Sequence, residues 1–187
     1  MKNIILAAFV AAAALLAVSC KYEPSLEEKA IKAKIEEQKG PVTQFALTDI
    51  EMLREVTLGE EIGIRRDNFE LKHKKDSELG EKYKGRNLPT NAALKQESAR
   101  KDLVRLFALD SIAEALSDEL GKVVYRDYRF SASCMTDEGA LVLKDWYAAI
   151  TPEGEVLSMV QDKKNLHRGL GNVIPGWKEL FGGNDEQ

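Results

Sequence analysis

The sequence predicts an α+β fold, with N-terminal helices, including a long helical hairpin, packed on a three- to four-stranded antiparallel sheet. Three observations carry that expectation. Helix-start signals recur before residue 91, the apolar period switches from helical to two after Gly121, and two turn-rich tetrapeptides divide the C-terminal third of the chain into consecutive strands. Runs of helix followed by runs of strand describe layers in which the helices lie on one face of the sheet.

The first helix starts at Ser25-Leu26-Glu27-Glu28, where a hydroxyl and a carboxylate three residues apart can satisfy backbone donors reciprocally. Lys39-Gly40-Pro41 stops it. Leu26, Ala30, Ala33 and Ile35 form a thin apolar stripe, which predicts a surface helix near the N-terminal tether. Val42 to Leu47 reads as a short strand through Thr43, Phe45 and Leu47. Thr57-Leu58-Gly59-Glu60 has the capping-box spacing again and opens a charged helix to about Tyr83, with Ile62, Phe69 and Tyr83 at multiples of seven.

Gly85 to Thr90 is turn chemistry, and from Asn91 apolar residues recur as Ala99, Leu103, Leu106, Phe107, Ala113, Leu116 and Leu120. Gly121 is placed to end that helix in a left-handed conformation. Beyond it, Val124, Tyr128, Phe130, Ala132 and Cys134 share one strand face, and Asp127, Arg129, Ser131 and Ser133 the other. Ala140 to Ile150 forms the next strand, with Val142, Trp146, Ala148 and Ile150 on one face. After Thr151-Pro152-Glu153-Gly154, Val156, Ser158 and Val160 oppose Leu157 and Met159. From Lys163 the chain reads as an irregular tail, packed back through Trp177, Leu180 and Phe181.

The first nineteen residues have a separate meaning. Lys2 precedes fifteen uncharged apolar residues, Ile4 to Val18, the layout of a secretory signal. As a helix they would extend about 22 Å, short of a hydrocarbon core of ~30 Å. The segment ends Leu16-Ala17-Val18-Ser19-Cys20, which resembles the lipobox of bacterial lipoproteins, although Ala17 stands where that family favours leucine. The resemblance implies cleavage between Ser19 and Cys20 and acylation of Cys20 with palmitate-type chains, two or more of which make a stable anchor. The expected organisation is a signal peptide over 1–19, lipidated cysteine and tether over 20–24, and one α+β domain with an irregular tail over 25–187. The expected location is the cell envelope, on a membrane and facing the periplasm or exterior.

Without residues 1 to 19 the chain keeps 26 Lys and Arg against 31 Asp and Glu, a net charge of −5. That balance argues against nucleic acid and against a polybasic membrane patch, since both depend on neutralising phosphates. With Cys20 consumed, Cys134 has no disulfide partner in the chain. His73 and His167 are the only histidines, and no Cys or His cluster has metal-ligand spacing, so neither metal nor cofactor is expected. The sequence contains no G-x-S-x-G elbow, phosphate loop or dinucleotide fingerprint, and Gly169-Leu170-Gly171 is too short for one.

No catalytic residue is assigned. His73 lies among Lys72, Lys74 and Lys75 and reads as a solvated helix position. Trp146, His167 and Trp177 are the candidate ligand contacts, since aromatic rings, with Tyr147, can stack on a sugar or peptide. Cys134 and His167 would make a nucleophile and base only if folding brought them within ~3 Å; otherwise Cys134 is a small core residue.

Tyr125 to Val160, with Asp127-Tyr128-Arg129-Phe130-Ser131 and Ile150-Thr151-Pro152-Glu153-Gly154-Glu155-Val156, resembles small bacterial lipoproteins of unknown function, whose shape is similar to cystatin-like and nuclear-transport-factor-like domains. That likeness implies a sheet-on-helix fold and no activity. The expected role is therefore a non-catalytic binding or envelope-structural domain, with another envelope protein as the candidate partner. The alternatives are an enzyme using Cys134 or His167, and an inhibitor of a protease or toxin.

Overall fold

Local capping starts the first two helices of the computed structural model, which describes residues 23–181. Helix α1 (Leu26–Lys39) begins where the Ser25 hydroxyl accepts from the Glu28 N–H, 3.1 Å away, and ends at Gly40 with φ of 81°. Strand β1 (Thr43–Thr57) leads into α2 (Leu58–Gly85) through a complete capping box at Thr57 and Glu60. Helix α3 (Pro89–Ala115) returns antiparallel to α2, and β2 (Val123–Thr136), β3 (Gly139–Ile150) and β4 (Val156–Val160) complete an antiparallel sheet of order β1-β2-β3-β4. Residues 161–181 then cross the molecule in short 3-10 turns and finish in α4 (Trp177–Phe181).

The sheet is buried on both faces at one end. Tyr128, Phe130, Ala132 and Cys134 point toward α1, whose Ala30, Ile31 and Ile35 fill that side. At about 1.5–3 kcal/mol for each buried isoleucine, α1 is a core element and not the surface helix its thin stripe suggests. The stripe is wider than it reads because Ile31, fully buried, continues it toward Ile35 four residues on.

On the opposite face Val56, Tyr125 and Ala149 pack with Leu166 and Leu170 of the C-terminal segment and with Ile64 of α2. Helices on one face alone therefore do not describe the fold. The C-terminal segment is a second covering layer.

Two strands depart from simple alternation. Against β2, β3 carries an extra residue between Leu143 and Trp146, where Asp145 has φ of 53°. Such a bulge shifts side-chain parity by one. Leu141 and Leu143 therefore share the α1 face with Trp146, Ala148 and Ile150, while Val142, expected inside, is 71% exposed. A second irregularity near Ala149 and Ile150 leaves Val156 and Met159 on the α1 face and puts Leu157 and Val160 on the other. Strand β1 runs on past the Val42–Leu47 expectation, and the sequence hides that extension because three of its four register shifts against β2 lie beyond Leu47 and break the period there.

Polar pairs tie α2 to α3 in the part of the hairpin nearest its turn. Lys95 Nζ lies 2.8 Å from Asp76, Lys72 Nζ lies 3.3 Å from Asp102, and the His73 ring bonds the Ala99 carbonyl oxygen at 2.8 Å. His73 is thus tied to backbone and is not a solvated position. Gly80 lets the helices close, since a Cβ there would stand 3.2 Å from Gln96 Cγ. Of the expected stripe on α3, Leu106 turns inward with Leu109 and Ile112, whereas Leu103 and Phe107 are exposed.

Helix α3 begins at Pro89, two residues earlier than its period indicates, because proline suits the first helical turn. It ends at Ala115, and Gly121 lies outside the positive-φ glycines. Trp177 and Phe181 pack with Leu58, Ile62, Leu109 and Ile112 as expected, while Leu180 is 54% exposed.

Candidate functional site

Four segments bring polar side chains together on the second sheet face. Odd positions of β2 place Tyr125 and Asp127 there, β1 contributes Arg54, α2 contributes Glu61 and Arg65 one turn apart, and the C-terminal segment contributes His167. Glu61, Arg65, Tyr125 and Asp127 are buried. Charges so placed persist only when paired and hydrogen-bonded.

The pairing forms two linked sets. Glu61 accepts from Arg65 Nε at 2.6 Å and from the Tyr125 hydroxyl at 2.5 Å. Arg65 also donates through Nη2 to the His167 backbone carbonyl. Burial, together with the Glu61 charge and hydrogen bond, raises the Tyr125 phenol far above its ordinary range, so it stays a neutral donor.

In the second set, Asp127 Oδ2 accepts from Arg54 Nε at 2.8 Å and from His167 Nε2 at 2.9 Å. That bond puts a proton on Nε2, while Arg54 Nη2 stands about equally far from both ring nitrogens, 3.4 Å from Nε2 and 3.5 Å from Nδ1. Burial pushes the Asp127 carboxyl up, but the His167 and Arg54 hydrogen bonds and charges outweigh it and hold the group below its usual value.

A depressed folded-state pKa stabilises the fold above the unfolded value of about 3.9 and loses that contribution as pH falls through the folded value. Asp76 is depressed likewise, chiefly by hydrogen bonds from Lys95 and Ser98. Urea midpoints measured from pH 7 to about pH 2.5 should therefore fall steeply below about pH 4. The Asp127→Asn chain should start lower and fall less steeply, keeping the share due to Asp76. An unchanged acid slope in Asp127→Asn would contradict this assignment.

His167 and Arg65 stand at the edge of a cleft of about 490 Å³ between α2 and the C-terminal segment. Ile64, Asn68, Phe69 and Lys72 form the helix wall; Lys164, Asn165, Arg168 and Gly169 form the other. Among the described residues its lining is rich in cations and amides and includes no carboxylate, hydroxyl or thiol.

The residues singled out in the sequence are dispersed. His167 lines the cleft. Trp177 is 4% exposed, lies 4.3 Å from Phe181 between ring centroids, and covers Gly171, so it serves the core and is not offered to a ligand. Trp146 packs on the α1 side of the sheet, and Tyr147 on the other. Cys134 is buried on the α1 face, seven residues along β2 from Asp127, or about 23 Å at ~3.3 Å per residue. Folding therefore assembles no Cys134–His167 pair, and burial raises the Cys134 thiol above its ordinary value.

Signal cleavage at Ser19 and lipidation at Cys20 fall outside the described residues. No family model, curated protein or solved structure matches the chain.

Glu61, Arg65, Tyr125, Asp127 and Arg54 do not stand out in the sequence as site residues. A partial signal is present in the i,i+4 spacing of Glu61 and Arg65, and in an aromatic, Tyr125, on the otherwise polar face of β2.

Proposed function

We propose that the chain is a lipid-anchored protein of the bacterial envelope, held through Cys20, whose domain binds a ligand or partner at the His167 cleft without transforming it. The anchoring half rests on the Leu16–Cys20 segment. Among the described residues, no helix is long and apolar enough to cross a membrane.

The binding half rests on one observation: the groups behind the cleft are held by partners of their own. Glu61 fixes Arg65, and Asp127 with Arg54 fixes His167, so the wall is preorganised and little ordering entropy is lost on binding. The lining suits recognition of a ligand better than covalent attack on it.

Membrane fractionation tests the anchor. The natural chain should carry the added mass of its acyl groups and pellet with membranes, whereas Cys20→Ser should leave the pellet; equal retention of both would overturn the reading.

One contact also favours a second function. A buried carboxylate bonded to a cleft histidine is also how a general base is oriented, and Asp127 and His167 have that geometry at 2.9 Å. Cells carrying His167→Ala should then lose the protein's function although its amount and location are unchanged. A wild-type phenotype would end the general-base reading.

A further inference from the structure

The cleft departs from the charge balance of the chain that carries it. The chain as a whole is acidic, with a formal net charge of −4. Yet Arg65, Lys72, Lys164 and Arg168 line one cleft together with His167, and no carboxylate lines it among the described residues.

These cations differ in availability. Arg65 is matched by Glu61, and Lys72 by Asp102 at 3.3 Å. Lys164 and Arg168 form no side-chain ion pair among the described residues, and both are exposed. These two exposed cations, without a side-chain ion pair among the described residues, stand with Lys72 around the cleft and make its local potential positive.

The chemistry of the walls narrows the ligand. Asn68 and Asn165 can each donate to and accept from hydroxyl groups, and the Phe69 side chain offers an apolar surface. About 490 Å³ exceeds the need of a bare inorganic ion and lies in the range of sites for small organic molecules.

We infer that this cleft binds an organic phosphate of about sugar size, its phosphate between Lys164 and Arg168 and its hydroxyls on the asparagine amides. A phosphate group, with about −1.5 to −2 charges as a monoester and about −1 as a diester near neutral pH, presents several acceptor oxygens that two neighbouring cations can share. The inference rests on the cleft being the binding surface, as proposed above, and not on the anchor. The phosphate can belong to a soluble sugar phosphate or to a lipid headgroup.

Titration calorimetry on the full chain in non-ionic detergent separates these sources. Glucose 6-phosphate represents the soluble monoester, glycerophosphoglycerol the lipid-type diester, and inorganic phosphate, glucose and citrate serve as comparisons. One of the two organic phosphates should bind saturably with 1:1 stoichiometry, more tightly than inorganic phosphate or citrate, and glucose should not bind. Raising salt should weaken it.

In the Lys164→Ala/Arg168→Ala chain, affinity should drop at least tenfold, while Lys32→Ala on α1 should leave it unchanged. Thermal melts matching the natural chain would show that the exposed cleft substitutions leave folding intact. No saturable binding of either organic phosphate, tighter binding of citrate, or natural affinity in the double variant would overturn the inference. A Cys20→Ser chain retained in the membrane would instead remove only the anchoring half of the proposed function and leave this titration as it stands.

Discussion

Glu61→Ala should lower the stability of the domain by about 3–5 kcal/mol, the cost of removing one partner from a buried ion pair. The side chain of Glu61 is fully buried and that of Arg65 is 5% exposed, so water cannot replace the missing carboxylate cheaply. The substitution also removes the acceptor of the Tyr125 hydroxyl, a buried donor. Glu61→Gln keeps the shape and an acceptor oxygen but loses the charge, and its cost should be smaller. Urea unfolding at pH 7 measures both. A loss below about 1 kcal/mol for Glu61→Ala would show that Arg65 is compensated by other groups and that this carboxylate does not organise the cleft wall.

The second large effect is expected at Trp177. Its indole lies against Phe181 and Phe69 and covers Gly171, where a Cβ would stand 2.4 Å from the ring. A tryptophan-to-alanine change in a core costs about 3–5 kcal/mol, with a cavity added to the lost burial. The loss should be unevenly distributed, because Trp177 and Ile174 attach the C-terminal segment to Leu58, Ile62 and Leu109. In Trp177→Ala, hydrogen exchange should quicken first over residues 163–174, while amides of β2 and β3 stay protected relative to them. The same segment carries Lys164, His167 and Arg168, so the cleft should loosen with it. Uniform loss of protection across the sheet would mean that the segment and the sheet unfold as one unit.

How much of the fold is legible in the sequence depends on the range of the forces. Both helix caps are legible, because Ser25 with Glu28 and Thr57 with Glu60 interact within one turn. So is the α1 face of β2, since alternation there is unbroken from Tyr128 to Cys134. Strand β3 reads out of phase at Val142 because the bulge before Trp146 leaves no composition signal; Lys144 and Asp145 are as polar as an ordinary exposed pair. Most of β1 is hidden for a related reason, as four register shifts scramble its pattern. In the candidate site, His167 stands out because histidines are few. Its partners do not, because nothing local distinguishes Asp127 from the exposed acids around it.

The amino-acid order by itself determined the α+β class, the helix starts, the apolar face of β2 and the features that suggest a lipidated leader, since each depends on neighbours within a few positions. The tertiary structure alone decided which charges would be dry. Glu61, Arg65, Tyr125 and Asp127 become one network only when α2 and the C-terminal segment close over the second sheet face, and His167 reaches Asp127 across forty residues of chain. Burial of a polar group is set by what lands on top of it, and here the cover comes from α2 and from the C-terminal segment, both distant in sequence from β2.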